Sequence, residues 1–353
     1  MAQKVAVVLF NLGGPDSPQA IQPFLFNLFN DPAIIGAPGP IRWLLAQYIS
    51  AKRAPVAKEI YAKIGGKSPL FDLTRQQAAN VQTVLNQGAA AKGREFRCFI
   101  AMRYWKPFTA QTVAEVKAWG ATLVVLLPLY PQYSTATSGS SLKEWHDVAG
   151  RMGLKLPTST ICCYPWDDGF VTAQADLLGK ALDRAASVTN NIRLLFSAHG
   201  LPKSLIAQGD PYQAQIEAGA AAIIAKLNRP GLDWKVTYQS RVGPAEWIGP
   251  YTDDEIKKAG AEKKGLVILP IAFVSEHSET LVELDMEYFH LAKDAGATAY
   301  VRVPALGSHP AFIKGLAGLV TKTLASKIQP CSQSGGRICA VGHSKCPNQG
   351  ANS

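Results

Sequence analysis

The segment from Val274 to Tyr288, VSEHSETLVELDMEY, carries Glu276, Glu279, Glu283 and Glu287 at spacings of three and four residues. On a helix these positions share one face, so the segment predicts a ladder of carboxylates. Like charges stacked in this way repel unless something compensates them. A solvated acidic face is the plain alternative. Against it, the ladder starts directly after the apolar run GLVILPIAF, a strand that would aim the first turn into a cleft. His199 follows the run LLFS in SAHGLP, where Gly200 and Pro202 force a turn and leave the imidazole at a strand end. An imidazole and a carboxylate in one site can take protons near neutral pH or contact a divalent ion. Spacing alone therefore describes a metal-dependent or acid–base α/β enzyme.

Such groups need elements to position them. Short β-branched apolar runs recur at Val5–Phe10, Phe96–Met102, Leu123–Leu127 and Ser159–Cys163, then at Arg193–Phe196, Val236–Gln239, Leu266–Leu269 and Ala299–Val303, with helical stretches between them. Continuous apolar strands alternating with helices are what a parallel sheet covered on both faces requires. The expectation is an α/β protein of two similar domains, each with a four-stranded parallel sheet flanked by helices. The first spans 1–185, the second 186–328, and a cysteine-containing tail occupies 329–353. Each strand ends in a segment of unusual chemistry, among them NLGGPDS, MRYWKP, PLYPQYSTATSGSS, SAHGLPKS and QSRVGPAEW. In open parallel sheets ligands collect at those carboxyl ends.

The bulk numbers narrow the function. A chain of 353 residues, 47% hydrophobic and 18% charged, is ordinary globular material. Its net charge of +10 suits nucleic acid, an anionic membrane surface or a multiply carboxylated substrate. The Lys and Arg residues are scattered rather than striped, which makes nucleic acid the weakest of the three. No apolar run is long enough to span a membrane, and the first apolar run is too short for a signal peptide. A cytoplasmic chain is expected, its cysteines reduced. Residues 20–53 include FLFNLFNDPAIIGAPGPIRWLLAQYISAKR, apolar with basic ends at Arg42, Lys52 and Arg53. This is either a lip resting on the inner membrane from one side or a helix pair packed on the first sheet. NLGGP lacks both the G-x-G-x-x-G spacing and a P-loop Lys-Ser/Thr pair, so no nucleotide is expected. The hydroxyls of PLYPQYSTATSGSS either cap the next helix or bind carboxylates or phosphate.

Several segments, in this order, resemble the ferrochelatase family over nearly the whole chain: NLGGP at 11–15, IGGKSP at 64–69, MRY at 102–104, LYPQYSTATSGSSL at 129–142, SAHGLP at 197–202, QSRVGPAEWIGP at 239–250 and PIAFVSEHSETLVELD at 270–285. SAHGLP together with AFVSEHSETLVELD is the most specific part. The resemblance implies the chelatase-like fold, two Rossmann-like domains with no nucleotide, a porphyrin held in the cleft between them and an apolar lip at its mouth. It implies insertion of Fe2+ into protoporphyrin IX, the final step of haem synthesis, with porphyrin and ferrous iron as substrates and a monomer or homodimer as the assembly. His199 and Glu279 match the family's paired catalytic residues, which share metal binding and pyrrole deprotonation. His277, Glu283 and Glu287 match a face proposed to conduct protons or metal. Arg103, Tyr104, Tyr133 and Trp247 match residues lining the porphyrin pocket. A chelatase for another metal or porphyrin is the rival within the enzyme class. A haem or metal carrier that does no chemistry is the rival outside it.

The tail PCSQSGGRICAVGHSKCPNQGANS is polar and glycine-rich, a composition that reads as disordered but for Cys331, Cys339 and Cys346. Some ferrochelatases hold a 2Fe-2S cluster with C-terminal cysteines plus one from the body of the chain, and this tail resembles theirs. Four thiolates are the usual requirement, and the fourth here would be Cys163 or Cys162. The animal members place that ligand farther on and have a C-x-x-C tail pair, both lacking here. Zinc on the same thiolates, with His343 able to replace one, is the alternative, and uncoordinated thiols the third.

Overall fold

The computed structural model describes residues 2–349. The chain divides into two compact units. The first holds the chain through Cys163, then Leu316–Arg337 and the residues from Pro347 on. The second holds Tyr164–Gly315 and Ile338–Cys346.

The first unit is built from β1 (Gln3–Asn11), α1 (Ile21–Phe29), α2 (Gly39–Ala62), α3 (Leu70–Gln87), β2 (Arg94–Met102), α4 (Thr109–Trp119), β3 (Leu123–Pro128), α5 (Ser140–Arg151) and β4 (Thr158–Cys163). Its strands are all parallel, in the order β2-β1-β3-β4. The central strand β1 is buried from Val5 to Asn11, the continuous apolar run of a strand covered on both faces. Phe10 meets Trp145 edge-to-face at 5.9 Å, joining sheet to α5 in a core with Phe99, Val113, Leu126 and Val148.

The second unit follows the same plan: α6 (Asp168–Ala186), β5 (Ile192–His199), α7 (Lys203–Ala207), α8 (Tyr212–Leu227), β6 (Asp233–Gln239), α9 (Thr252–Ala261), β7 (Gly265–Pro270), a π-helix at Glu279–Glu287, α10 (Tyr288–Ala295) and β8 (Ala299–Arg302). Its parallel order, β6-β5-β7-β8, repeats that of the first unit. In each sheet the first strand of the unit sits between the second and third, so the chain switches direction there. That switch point is where an open α/β sheet offers a crevice.

All eight expected strands are present, most lengthened by a residue or more at one end or both. One correction follows, and one difference of grouping. After α11 (Pro310–Ala325) the tail adds a short parallel strand, β9 (Cys331–Ser332), beside β4, so the first sheet has five strands rather than four. Composition alone suggests disorder there. Helix α6, which the sequence places at the end of the first domain, is grouped with the second unit.

The 20–53 stretch forms α1, a break and α2. Phe26 meets Trp43 edge-to-face at 6.3 Å, and Arg42 Nε donates to the Asn30 carbonyl at 2.9 Å. The two helices pair, yet α2 leaves Leu44 63% and Tyr48 65% exposed, with Ile41, Trp43 and Val56 also open. No helix among the described residues is long and apolar enough to cross a membrane.

Candidate active site

His199 is the last residue of β5, paired in parallel register with Gln239 at the end of β6. Ser197, two residues earlier, pairs with Pro270 at the end of β7. The segment leaving β7 and the imidazole leaving β5 therefore start from adjacent strands at the switch point. His199 Nδ1 lies 2.6 Å from the carbonyl of Gly200. A carbonyl only accepts, so Nδ1 carries the proton, and in the neutral ring Nε2 keeps a lone pair. The carbonyl of His199 itself accepts from the Tyr212 hydroxyl at 3.0 Å. Trp247 tilts against the imidazole with ring centroids 6.2 Å apart, its Nε1 donating to the Val242 carbonyl. A Cβ on Gly200 would come within 3.0 Å of the Trp247 ring and 3.1 Å of the Gln239 carbonyl, so glycine permits this packing.

The carboxylate ladder is carried on the π-helix, whose closing bond runs from the Tyr288 N–H to the Glu283 carbonyl. Such wide turns concentrate at functional sites. Thr280, Val282 and Leu284 are buried, Leu284 in a cluster with Leu195, Ile256 and Ile268. Each fully buried aliphatic side chain contributes about 1.5–3 kcal/mol, and this anchorage fixes where the glutamates lie. Glu276 departs from the expected ladder. It precedes the helix and is paired with Arg302 at 2.6 Å, which leaves Glu279, Glu283 and Glu287 as the rungs.

Glu279 Oε2 is buried with no hydrogen-bond partner among the described residues. A buried, unpaired carboxylate oxygen is costly; Glu276 Oε2 is unpartnered in the same way, and a bound ligand is one way to offset that cost at Glu279. Glu283 is the opposite case. It accepts from Ser240 N at 3.1 Å, Gln239 Nε2 at 3.1 Å, the Tyr288 hydroxyl at 3.1 Å and the Ser240 hydroxyl. Burial, and then the charge of Glu279, nevertheless push its carboxyl above the ordinary 4.5. Burial holds the His277 imidazole below its ordinary 6.5, against the pull of Glu279 and Glu276. His199, when protonated, would act on both Glu283 and His277, though as the smallest of the causes. His199, His277, Glu279 and Glu283 thus form one electrostatic group, while Glu287 is exposed.

Arg103, Tyr104 and Tyr133 belong to the first unit. Tyr104 is 1% exposed, and its hydroxyl donates to Asp31 at 2.8 Å. Arg103 gives Nη2 to Asp31 at 2.8 Å and Nε to the Ser140 hydroxyl at 2.7 Å. Asp31 is therefore the hub that fixes both side chains. Tyr133 is buried, its hydroxyl 2.8 Å from where a Cβ on Gly139 would stand.

A sequence model of the ferrochelatase family matches residues 4–324. The chain belongs to the ferrochelatase family. It is 54% identical to a ferrochelatase of Caulobacter vibrioides, over 98% of both chains. A ferrochelatase of Hyphomonas neptunium is 52% identical over 98% of this chain and 95% of its own, and one of Pelagibacter ubique 47% over 98% of each. Among solved structures, SirB from Bacillus subtilis with Fe3+ has a TM-score of 0.53 at 14% identity, covering 92% of this chain and 96% of that one. At that identity the likeness concerns the fold.

In this ferrochelatase-family chain the site also draws on residues that sequence reading passes over. Gln239 and Ser240 close on Glu283 from the end of β6, and Ser240 adopts φ +63°, a left-handed conformation unfavourable for serine. The Ser197 hydroxyl donates to Gln239 Oε1 at 2.6 Å, which turns the amide nitrogen toward Glu283. Their one signal in the sequence is the segment QSRVGPAEW at a strand end.

None of the six cysteines is in a disulfide. Cys331, on β9, pairs across from Ile161, and Cys162 Sγ lies 3.4 Å from Cys163 Sγ. Burial raises the Cys331 thiol above its ordinary value. Cys339 accepts from Gln215 Nε2 at 3.1 Å, and Cys346 is buried. In donor type, thiols suit a soft metal or cluster. In arrangement, no group of three or more His, Cys, Asp or Glu residues among the described residues is placed to hold a metal ion.

Proposed function

We propose that the chain inserts Fe2+ into protoporphyrin IX, giving protohaem and two protons, in the last step of haem synthesis. A free-base porphyrin is nearly flat and carries two inward N–H protons, so iron enters only when the ring is bent and deprotonated. His199 Nε2, left unprotonated by the Nδ1 bond to Gly200, accepts one pyrrole proton. Glu279, with an unpartnered buried oxygen, meets the incoming iron and takes the second proton. Glu283 holds a proton more readily than an ordinary carboxyl and hands it toward the exposed Glu287, with His277 beside this path. Iron replaces the two protons at the ring nitrogens, so charge balances. Arg103, Tyr104, Tyr133 and Trp247 are the proposed porphyrin contacts, and strain held on the ring by such contacts favours the transition state.

The observation that supports this reading is an unsatisfied Glu279 oxygen on the segment leaving β7, and, at the end of the adjacent strand β5, an imidazole whose Nδ1 gives its proton to the Gly200 carbonyl. Anaerobic assay of haem formation from Fe2+ and free porphyrin tests it, with protoporphyrin and coproporphyrin side by side. Porphyrin bound tightly without haem appearing would instead favour a carrier.

Two finer readings accompany it. The exposed apolar face of α2, with Lys52 and Arg53 near it, rests on an anionic membrane surface. Cys163 (or Cys162), Cys331, Cys339 and Cys346 hold a 2Fe-2S cluster, a reading supported by their residue type and by the absence of any disulfide among them. Anaerobically purified protein should then absorb in the visible, and Cys346→Ser should abolish the band. Colourless protein with stoichiometric zinc would favour the zinc reading.

A further inference from the structure

Glu276 and Asp285 take no part in the proton handling above, but they bracket its inner part: His277, Glu279 and Glu283 fall between them in the chain, and Glu287 lies two residues beyond. One guanidinium holds both. Arg302, the last residue of β8, gives Nη1 to Glu276 Oε1 at 2.6 Å. It also closes a two-pronged pair on Asp285, Nε to Oδ1 at 2.7 Å and Nη2 to Oδ2 at 2.6 Å. With side-chain exposures of 11% for Arg302 and 22% for Glu276, this pair is largely out of water. A planar fork engaged at three points there fixes angles as well as distances. The same Glu276 oxygen accepts the backbone N–H of Ala305 at 2.9 Å. Two residues back on β8, hence on the same face of the strand, the Tyr300 hydroxyl donates to the Leu284 carbonyl. The edge strand β8 thus grips the segment that carries His277, Glu279 and Glu283, ahead of the first of these three and beyond the last.

We propose that Arg302 is a positioning residue for metal insertion, fixing both ends of the segment 276–285 so that Glu279 is held in its reacting place. This rests on the proposed function. A second buried arginine provides the contrast. Arg193, near the start of β5, binds Asp233 at 2.8 Å and Glu262 at 3.0 Å. It lies at the end of the sheet away from His199, and neither partner adjoins a proposed proton-handling group in the chain. Arg193 is therefore expected to contribute to stability and not to turnover.

Steady-state haem formation and thermal melting test the assignment on the full-length protein. Three variants are compared with wild type. One is Arg302→Lys, which keeps the charge and loses the fork. The second combines Arg302→Met, Glu276→Gln and Asp285→Asn, which leaves no unpaired buried charge and so should fold. The third is Arg193→Lys. The first two should lose kcat by about 10- to 100-fold, the scale of a misplacement near 1 Å, with porphyrin KM within about twofold of wild type. Arg193→Lys should lower the melting temperature and spare kcat. Wild-type kcat in either Arg302 variant, or a kcat loss in Arg193→Lys that tracks its melting, would overturn the proposal. If wild type makes no haem, the function reading fails by itself. A crystal structure of the triple variant then decides: a Glu279 carboxylate displaced by about 1 Å supports positioning, and an unmoved one refutes it.

Discussion

A carbonyl bonded to Nδ1 and a carboxylate oxygen with no partner are small facts, but the roles proposed for His199 and Glu279 rest on them. Losing a positioned general base typically costs about 100- to 10,000-fold in rate. His199→Ala should therefore depress kcat by that order while porphyrin binding, measured by fluorescence quenching, stays within a few-fold of wild type. Glu279→Gln keeps the shape and removes the charge. Because that charge helps raise the Glu283 carboxyl, its removal should move the Glu283 titration to lower pH, as read by carbon NMR of the side chain. An upward move would show that the two groups are not coupled as described. Both residues are legible in the sequence, His199 from its turn after an apolar run and Glu279 from its place in the ladder. Gln239 and Ser240 are not, because their role depends on strand pairing with β5 and on a left-handed backbone at Ser240. Glu276 is misread as a rung because spacing does not reveal that Arg302, 26 residues away in the chain, neutralises it.

The π-helix owes its placement to its buried face. Leu284→Ala should cost about 2–5 kcal/mol by opening a cavity among Leu195, Ile256 and Ile268, measurable by urea denaturation, with turnover falling as the glutamates loosen. On α9, Glu255 is buried and accepts from Lys235 at 2.8 Å and Lys258 at 2.7 Å. Burial pushes its carboxyl up, but the two lysines outweigh burial and hold it below the ordinary 4.5. Its folded value lies under its unfolded one, so the stability it provides is present above pH 4.5 and is lost as pH falls through the folded value. Glu255→Gln should cost about 1–2 kcal/mol at neutral pH and flatten the acid limb of the stability curve. An acid limb identical to that of wild type would contradict this. Strand positions are readable because a short, continuous β-branched apolar run suits a central parallel strand buried on both faces. The π-helix is not, since its spacing of glutamates fits an ordinary helix equally well.

At the scale of the whole molecule, the repeated strand orders β2-β1-β3-β4 and β6-β5-β7-β8 account for a chain whose chemistry gathers at strand ends. The repeat is legible as alternating runs, whereas β9 is hidden in a glycine-rich tail where two residues suffice to pair with β4. The exposed face of α2 is legible only as a choice between lip and packed pair, because exposure is decided by what neighbouring segments leave uncovered. If that face meets lipid, the protein should float with anionic vesicles, and Leu44→Glu should release it; flotation unchanged by the substitution would place the contact elsewhere. The whole mechanism rests on His199 and Glu279 serving one ring centre. Anaerobic single-turnover mixing of Fe2+ with porphyrin-loaded wild type, His199→Ala and Glu279→Gln tests this most directly. All three should bind porphyrin, and only wild type should convert it promptly to haem. Conversion at the wild-type rate by either variant would contradict the shared role of the two residues.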